Sequence, residues 1–87
     1  MKKGYKATYN FKCNELTYEV GKTYEISSIV MCEHGFHYCE NMIDTLRYYP
    51  MKKDFVLLEI EDLGDKSEKK GDKTVTNKIK ILRVVPP

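Results

Sequence analysis

With 87 residues, 41% of them hydrophobic and 32% charged, the chain is long enough for one domain but not for a large core; folding at this size removes about 60–65% of the surface that the unfolded form exposes. A formal charge of +2 excludes the strong basic excess of a phosphate-tracking protein and the acidity of a nucleic-acid mimic. No segment reaches membrane-spanning length.

Residues Gly4 to Tyr9 place Tyr5, Ala7 and Tyr9 on one parity and Lys6 and Thr8 on the other, the period-two pattern of a half-buried strand. Asn10 to Asn14 interrupts the pattern and presents Cys13. Tyr18, Val20, Tyr24 and Ile26 share a parity across two short extended pieces, with Gly21-Lys22 as a turn or bulge between them. Ser27 to Met31 then delivers Cys32 at a strand end. Gly35 reads as a positive-φ turn residue, after which alternation sends Phe36 and Tyr38 to one face and His37 and Cys39 to the other.

Asn41 reads as a helix N-cap, with Asp44 as its capping-box partner or dipole-friendly acid, and Ile43 with Leu46 as a buried stripe. Pro50 closes this helix after about two turns. Phe55 to Ile60 is a near-continuous apolar run, the signature of a central strand covered on both faces. Glu61 to Asp72 reads as an exposed hairpin-like loop, and Thr74 to Val85 as a long strand whose phase slips at Leu82 through a bulge or a change of covered face. The expected architecture is α+β: a small, mostly antiparallel β-sheet with one short helix, in a single domain over residues 1–87, without internal repeats.

Two of the three cysteines and both histidines fall between Met31 and Asn41. Three cysteines are an odd count, and the start Met-Lys-Lys-Gly-Tyr-Lys carries no apolar run of a secretory signal. The expectation is a cytosolic protein whose reduced, clustered thiols hold metal. Cys13, Cys32, His37 and Cys39 together satisfy a tetrahedral structural zinc ion, three thiolates and one imidazole. Three thiolates and one zinc ion add −3 and +2, which takes the formal +2 to +1. The spacing Cys32-x4-His37-x-Cys39 with a distant Cys13 is not a standard finger pattern; a Gly35 knuckle between strand ends carries the geometric case. Closing such a site supplies on the order of 10 kcal/mol, comparable with the whole stability of a small domain.

Other readings of the same residues stand beside it. Each cysteine alone reads as a small buried hydrophobe, a Cys32–Cys39 disulfide is compatible with their separation but disfavoured by compartment, and His34 could replace His37, although its place at the loop tip favours solvent. Glu33 and Glu40 flank the cluster and could serve a hydrolytic zinc, but a Cys3His ion has no open coordination position, so no enzyme is expected. No Ser-His-Asp spacing, phosphate loop or HExxH stretch is present. The seven tyrosines supply bulk in a chain without tryptophan; at Tyr48-Tyr49-Pro50 one ring is expected in the core and the other at the helix end, and Tyr38 beside the metal.

Gly4-Tyr5-Lys6, Cys13, Tyr18 to Glu25, Cys32 to Asn41, Asp44, Tyr48-Tyr49-Pro50 and Gly71 to Ile81 together resemble a small domain of unassigned function found in phage and prophage proteins. In that family the positions of Cys13, Cys32, His37 and Cys39 recur as a set, which implies the same ligand choice, and that of His34 varies; Asn41-Met-Ile-Asp departs from a frequent proline at the helix start. The resemblance implies a free-standing anti-defence protein, an anti-CRISPR that binds a host CRISPR effector nuclease and blocks nucleic-acid loading or cleavage, with no membrane partner and no direct nucleic-acid contact. Two other classes remain open. The order of strand, Gly-Phe-His turn, short helix and buried strand is similar to the latter half of an ADP-ribosyltransferase core, implying a degenerate nucleotide-binding relative. Lys2, Lys3, Lys6, Lys78, Lys80 and Arg83 would suit a small nucleic-acid accessory factor.

Overall fold

The computed structural model describes residues 2–13, 16–31 and 34–86. The strands are β1 (Lys2–Tyr9), β2 (Lys12–Cys13), β3 (Leu16–Thr17), β4 (Thr23–Glu25), β5 (Phe36–Tyr38), β6 (Phe55–Asp62), β7 (Ser67–Lys70), β8 (Lys73–Thr76) and β9 (Lys78–Val84). A 3-10 helix over Met42–Arg47 lies between β5 and β6. Six strands form one sheet in the order β3-β2-β1-β6-β9-β4, and three form a second in the order β5-β8-β7. All the strand pairs are antiparallel. The mostly antiparallel architecture is therefore the expected one, but the helical part among the described residues is this 3-10 segment, so the α+β label fits weakly.

The apolar run from Phe55 becomes the central strand with neighbours on both edges, but the expected cover on both faces is not met: the face of Leu58 and Ile60 is buried, while Leu57, Glu59 and Glu61 on the other are half-buried. It pairs with β1 from Lys2↔Asp62 to Tyr9↔Phe55 and with β9 on its other side. Leu58 and Ile60 are fully buried, and Val56 and Leu57 half-buried. The β6–β9 register jumps from Glu59↔Arg83 to Ile60↔Ile81, which leaves Leu82 as the extra residue of a bulge, where the apolar phase slips in the sequence. The expected single strand from Thr74 to Val85 is instead two strands in different sheets, β8 and β9, divided at Asn77. Asn77 is buried and stays there because its amide is satisfied: Nδ2 donates to Asp65 Oδ1 at 2.9 Å, and Oδ1 accepts from the Lys66 N–H at 3.1 Å. Within the expected loop at 61–72, Ser67–Lys70 forms β7, exposed along its length and hairpinned to β8. Its charges suit a sheet edge that must not recruit another strand.

The two sheets share one core, in which Phe36 and Tyr38 of β5 meet Leu58, Ile60, Ile79 and Ile81 of the large sheet. Asp62 ties the layers together by accepting hydrogen bonds from Tyr38 Oη at 2.7 Å, Thr76 Oγ1 at 2.7 Å and the Gly64 N–H at 2.9 Å. Asn41 is the N-cap the sequence indicates, its Oδ1 accepting from the Ile43 N–H at 3.1 Å. The expected buried stripe is wrong: Ile43 is 67% and Leu46 38% exposed, while Thr45 is buried. Three residues per turn stack positions i and i+3, so Met42, Thr45 and Tyr48 form one row and Ile43 with Leu46 another, and the second row faces solvent. Among the described residues no helix is long and apolar enough to cross a membrane.

Gly21 and Gly35 both take positive φ, at 89° and 126°. A Cβ at Gly21 would meet nothing, whereas at Gly35 it would lie 2.5 Å from Val75 Cγ2. Gly35→Ala should therefore cost about 3 kcal/mol or more, strain and clash together, and Gly21→Ala only about 1 kcal/mol of strain. Urea denaturation of the two variants checks this, and equal losses would contradict the packing described for Gly35.

Candidate metal centre

The edge of β1 turned away from β6 receives two separate attachments, and these create the site. At one end the Asn10-Phe11 turn folds β2 back so that Lys12 pairs with Tyr9, which brings Cys13 alongside. Both turn residues have positive φ, 53° and 66°, as a two-residue hairpin of the primed type requires. Asn10 suits that conformation; Phe11 does not, and its ring packs against the core, which offsets the strain. Toward the other end, the Tyr5 N–H donates to the Cys39 carbonyl at 2.7 Å and the Cys39 N–H to the Tyr5 carbonyl at 2.9 Å.

Cys13, His37 and Cys39 line one cavity of about 330 Å³, which Lys6, Tyr49 and Lys73 also face. The structure thus brings together three of the four residues expected to bind zinc. The fourth, Cys32, lies outside the described residues, as does Glu33. His34 is exposed, pairs its backbone with Val30 and does not line the cavity. Glu40 is exposed and forms a surface ion pair with Lys69 at 3.5 Å.

Each donor sits in a distinct environment. Cys13 is a buried free thiol with Sγ 2.9 Å from Tyr49 Oη. Burial, and then the Cys13 contact, raise the Tyr49 phenol well above its ordinary range. Tyr49 is the core-packing member of the tyrosine pair; Tyr48 is exposed, donates to Asp72 Oδ1 at 2.5 Å, and has Lys73 Nζ 4.8 Å from its ring centre. Cys39 is also a buried free thiol, pushed up to about 11 chiefly by burial and further by the nearby Asp72 and Asp44, with Lys73 and Lys6 opposing. His37 is lowered by burial first and then by Lys6, while its hydrogen bond to the Gly35 backbone works the other way. Its imidazole is therefore neutral at pH 7, the form that ligates.

Lys6 is the residue that the sequence pattern misplaces. Parity set it on the polar face of β1, and it is 5% exposed. Its Nζ donates to the His37 carbonyl at 2.7 Å and lies 5.7 Å from the Tyr18 ring centre. Desolvation lowers its amine, with Cys13 and Cys39 acting in the opposite direction. Nothing local in Tyr-Lys-Ala-Thr announces this; burial comes from Cys39 and β2 sharing one edge of β1. With Lys6 enclosed and Arg83 paired to Glu59 at 3.2 Å, the cationic row drawn from the sequence loses two of its members.

Two thiols and a neutral imidazole in one cavity fit zinc in kind. The carboxylates that raise Cys39 would also favour a divalent cation. Among the described residues no group of three His, Cys, Asp or Glu side chains is placed to hold a metal ion, so Cys13, His37 and Cys39 share the cavity without forming such a group. Metal bound here would exchange a proton for itself at Cys39, because that thiol is neutral at pH 7.

The Cys39 environment predicts slow chemistry without metal. Its pKa is raised from 9.0 to about 11, so the fold holds the proton more tightly; the resulting stabilisation is complete below pH 9.0 and is lost as the pH rises through about 11. At pH 8 in chelator, its thiolate fraction is about a hundredfold below that of an unfolded thiol, and iodoacetamide should label it slower by at least that factor. Mass-spectrometric labelling rates check this, and a Cys39 rate equal to that of the denatured chain would contradict the environment described.

No curated protein and no solved structure matches the chain. Residues 2–86 match the model of the family described as Domain of unknown function (DUF7666), and the chain belongs to that family.

Proposed function

We propose that the protein works by binding rather than catalysis: a zinc-held β domain that docks an apolar face on a protein partner. The observation that carries this reading is the number of large apolar side chains exposed within ten residues on and after the 3-10 helix. Met42 is 42% exposed, Ile43 67%, Leu46 38%, Tyr48 45% and Met51 67%. A small protein gains nothing in stability from such a cluster, whereas an interface core is built from Met, Tyr and aliphatic residues. Methionine suits it further by adapting to an uneven surface.

Zinc would be held by Cys13, Cys32, His37 and Cys39, and its contribution would be structural. The 3-10 helix starts at Met42, three residues after Cys39, and Tyr49 contacts Cys13, so ligation at the cavity would brace the segment that carries the exposed apolar residues. A buried, protonated Cys39 thiol is a poor nucleophile, which supports binding over covalent chemistry. The resemblance stated for the sequence supplies the partner class, a host CRISPR effector nuclease, and the inhibited step, guide or target loading or cleavage. A near-neutral formal charge of +2 favours contact with a protein surface over imitation of nucleic acid.

Immobilised protein should retain the effector from a lysate of a CRISPR-bearing host, and the captured effector should lose cleavage. The double variant Ile43→Asp/Met51→Asp should keep its circular dichroism and lose retention by more than tenfold. Retention of no effector by the parent chain, or undiminished retention by the double variant, would sink the reading.

A further inference from the structure

We infer that the cavity beside β1 is a site for a small planar molecule with an amide edge, a ring lactam or an aromatic carboxamide, held by the backbone N–H and C=O of Ala7. This does not rest on the zinc reading, since the atoms that would hold the ligand are peptide groups.

Alternate residues of an antiparallel strand turn both of their backbone groups to the same edge. On β1 the residues that face away from β6 are fixed by their bonds. Tyr5 exchanges two with Cys39, at 2.7 and 2.9 Å, and Tyr9 pairs with Lys12 of β2 across the two-residue hairpin. Ala7 lies between them on the same parity, so its N–H and C=O point to that outer edge as well. Among the described residues none pairs with Ala7 there. The next rung from Cys39 would fall on His37, but β5 belongs to the second sheet and has left the plane of β1 at that point, and the His37 carbonyl accepts from Lys6 Nζ at 2.7 Å instead. One rung of the ladder is missing, and the gap opens into the cavity that Ala7 lines.

Ala7 is only 5% exposed. Buried peptide groups are nearly always hydrogen-bonded, and leaving a donor and an acceptor unmet is costly. Whatever completes the rung must offer an acceptor and a donor side by side in one plane, as the opposing residue of a ladder does. An amide with its N–H and C=O on the same side does this with very few atoms. The other walls suit a ring. Tyr5, Tyr38, Tyr48 and Tyr49 border the cavity, whose volume of about 330 Å³ stands at the lower end of the range for small-molecule sites, about 300–1,000 Å³.

Uracil, a lactam, and benzamide, a carboxamide, are titrated into the ¹⁵N-labelled chain as purified, with bound zinc measured on the same sample. The expected result is saturable binding of at least one probe, a downfield shift of the Ala7 N–H proton and its slower exchange with solvent. The fully N-methylated forms of both probes keep the rings and carbonyls but carry no N–H, and should bind at least tenfold more weakly. A response to uracil alone assigns the lactam class, and one to benzamide alone the carboxamide class. Ala7→Pro removes this one N–H without touching a rung to β6 and should abolish binding; should it not fold, the methylated probes decide. An Ala7 N–H that neither probe moves, or methylated probes that bind as tightly as their parents, overturns the proposal and leaves the zinc reading standing. A probe bound at Ala7 in folded protein that holds no zinc supports the proposal and removes that reading.

Discussion

The structure depends on how the outer edge of β1 is used. On its inner edge β1 is paired along its length with β6, and on its outer edge it carries β2 near Tyr9 and the two backbone bonds to Cys39 at Tyr5. Those bonds, at 2.7 and 2.9 Å, fix the chain leaving the small sheet against the large one. Without them Cys39 would have no reason to stand near Cys13, residues separated widely in sequence, and Lys6 would be an ordinary surface lysine. The cavity is a gap between two attachments to one strand.

Charge is the second constraint. The cavity encloses the Lys6 amine, lowered by burial, together with the Cys39 thiol and the Tyr49 phenol, both raised by burial, and the His37 imidazole, lowered by it. Such an arrangement is stable only because the surrounding β-framework over-determines it, with Asp62 joining the sheets and Asn77 satisfied at the corner where the chain changes sheet. The exposed apolar residues at 42–51 grow from the same segment, because the 3-10 helix begins three residues after Cys39 and Tyr49, just beyond its end, closes on Cys13.

Much of the framework was legible in the sequence. The continuous apolar run at Phe55 to Ile60 belongs to a central strand, the phase slip at Leu82 is a real bulge, and Asn41 caps the short helix. Density of Cys and His picked out the stretch from Met31 to Asn41, of which His37 and Cys39 share one cavity with the distant Cys13 while His34 stays outside it. The misses have a common origin. Periodicity describes a face, but burial is decided by what tertiary structure lays on it. Lys6 falls on a parity that a half-buried strand would expose, and a second layer covers it. Ile43 and Leu46 have the spacing of an α-helical stripe, and a 3-10 turn rotates that row outward. Asn77 falls inside what alternation reads as one long strand and is a buried corner between sheets. None of these required different chemistry, only neighbours distant in sequence.

The central claim is that three sulfurs and one imidazole close on a zinc ion in the cavity beside β1. Zinc-edge X-ray absorption of the purified chain tests it most directly. The account predicts one zinc per chain, with three sulfur neighbours at about 2.3 Å and one nitrogen at about 2.0 Å. A spectrum dominated by oxygen and nitrogen neighbours, or protein that remains folded with no bound zinc at all, would contradict it.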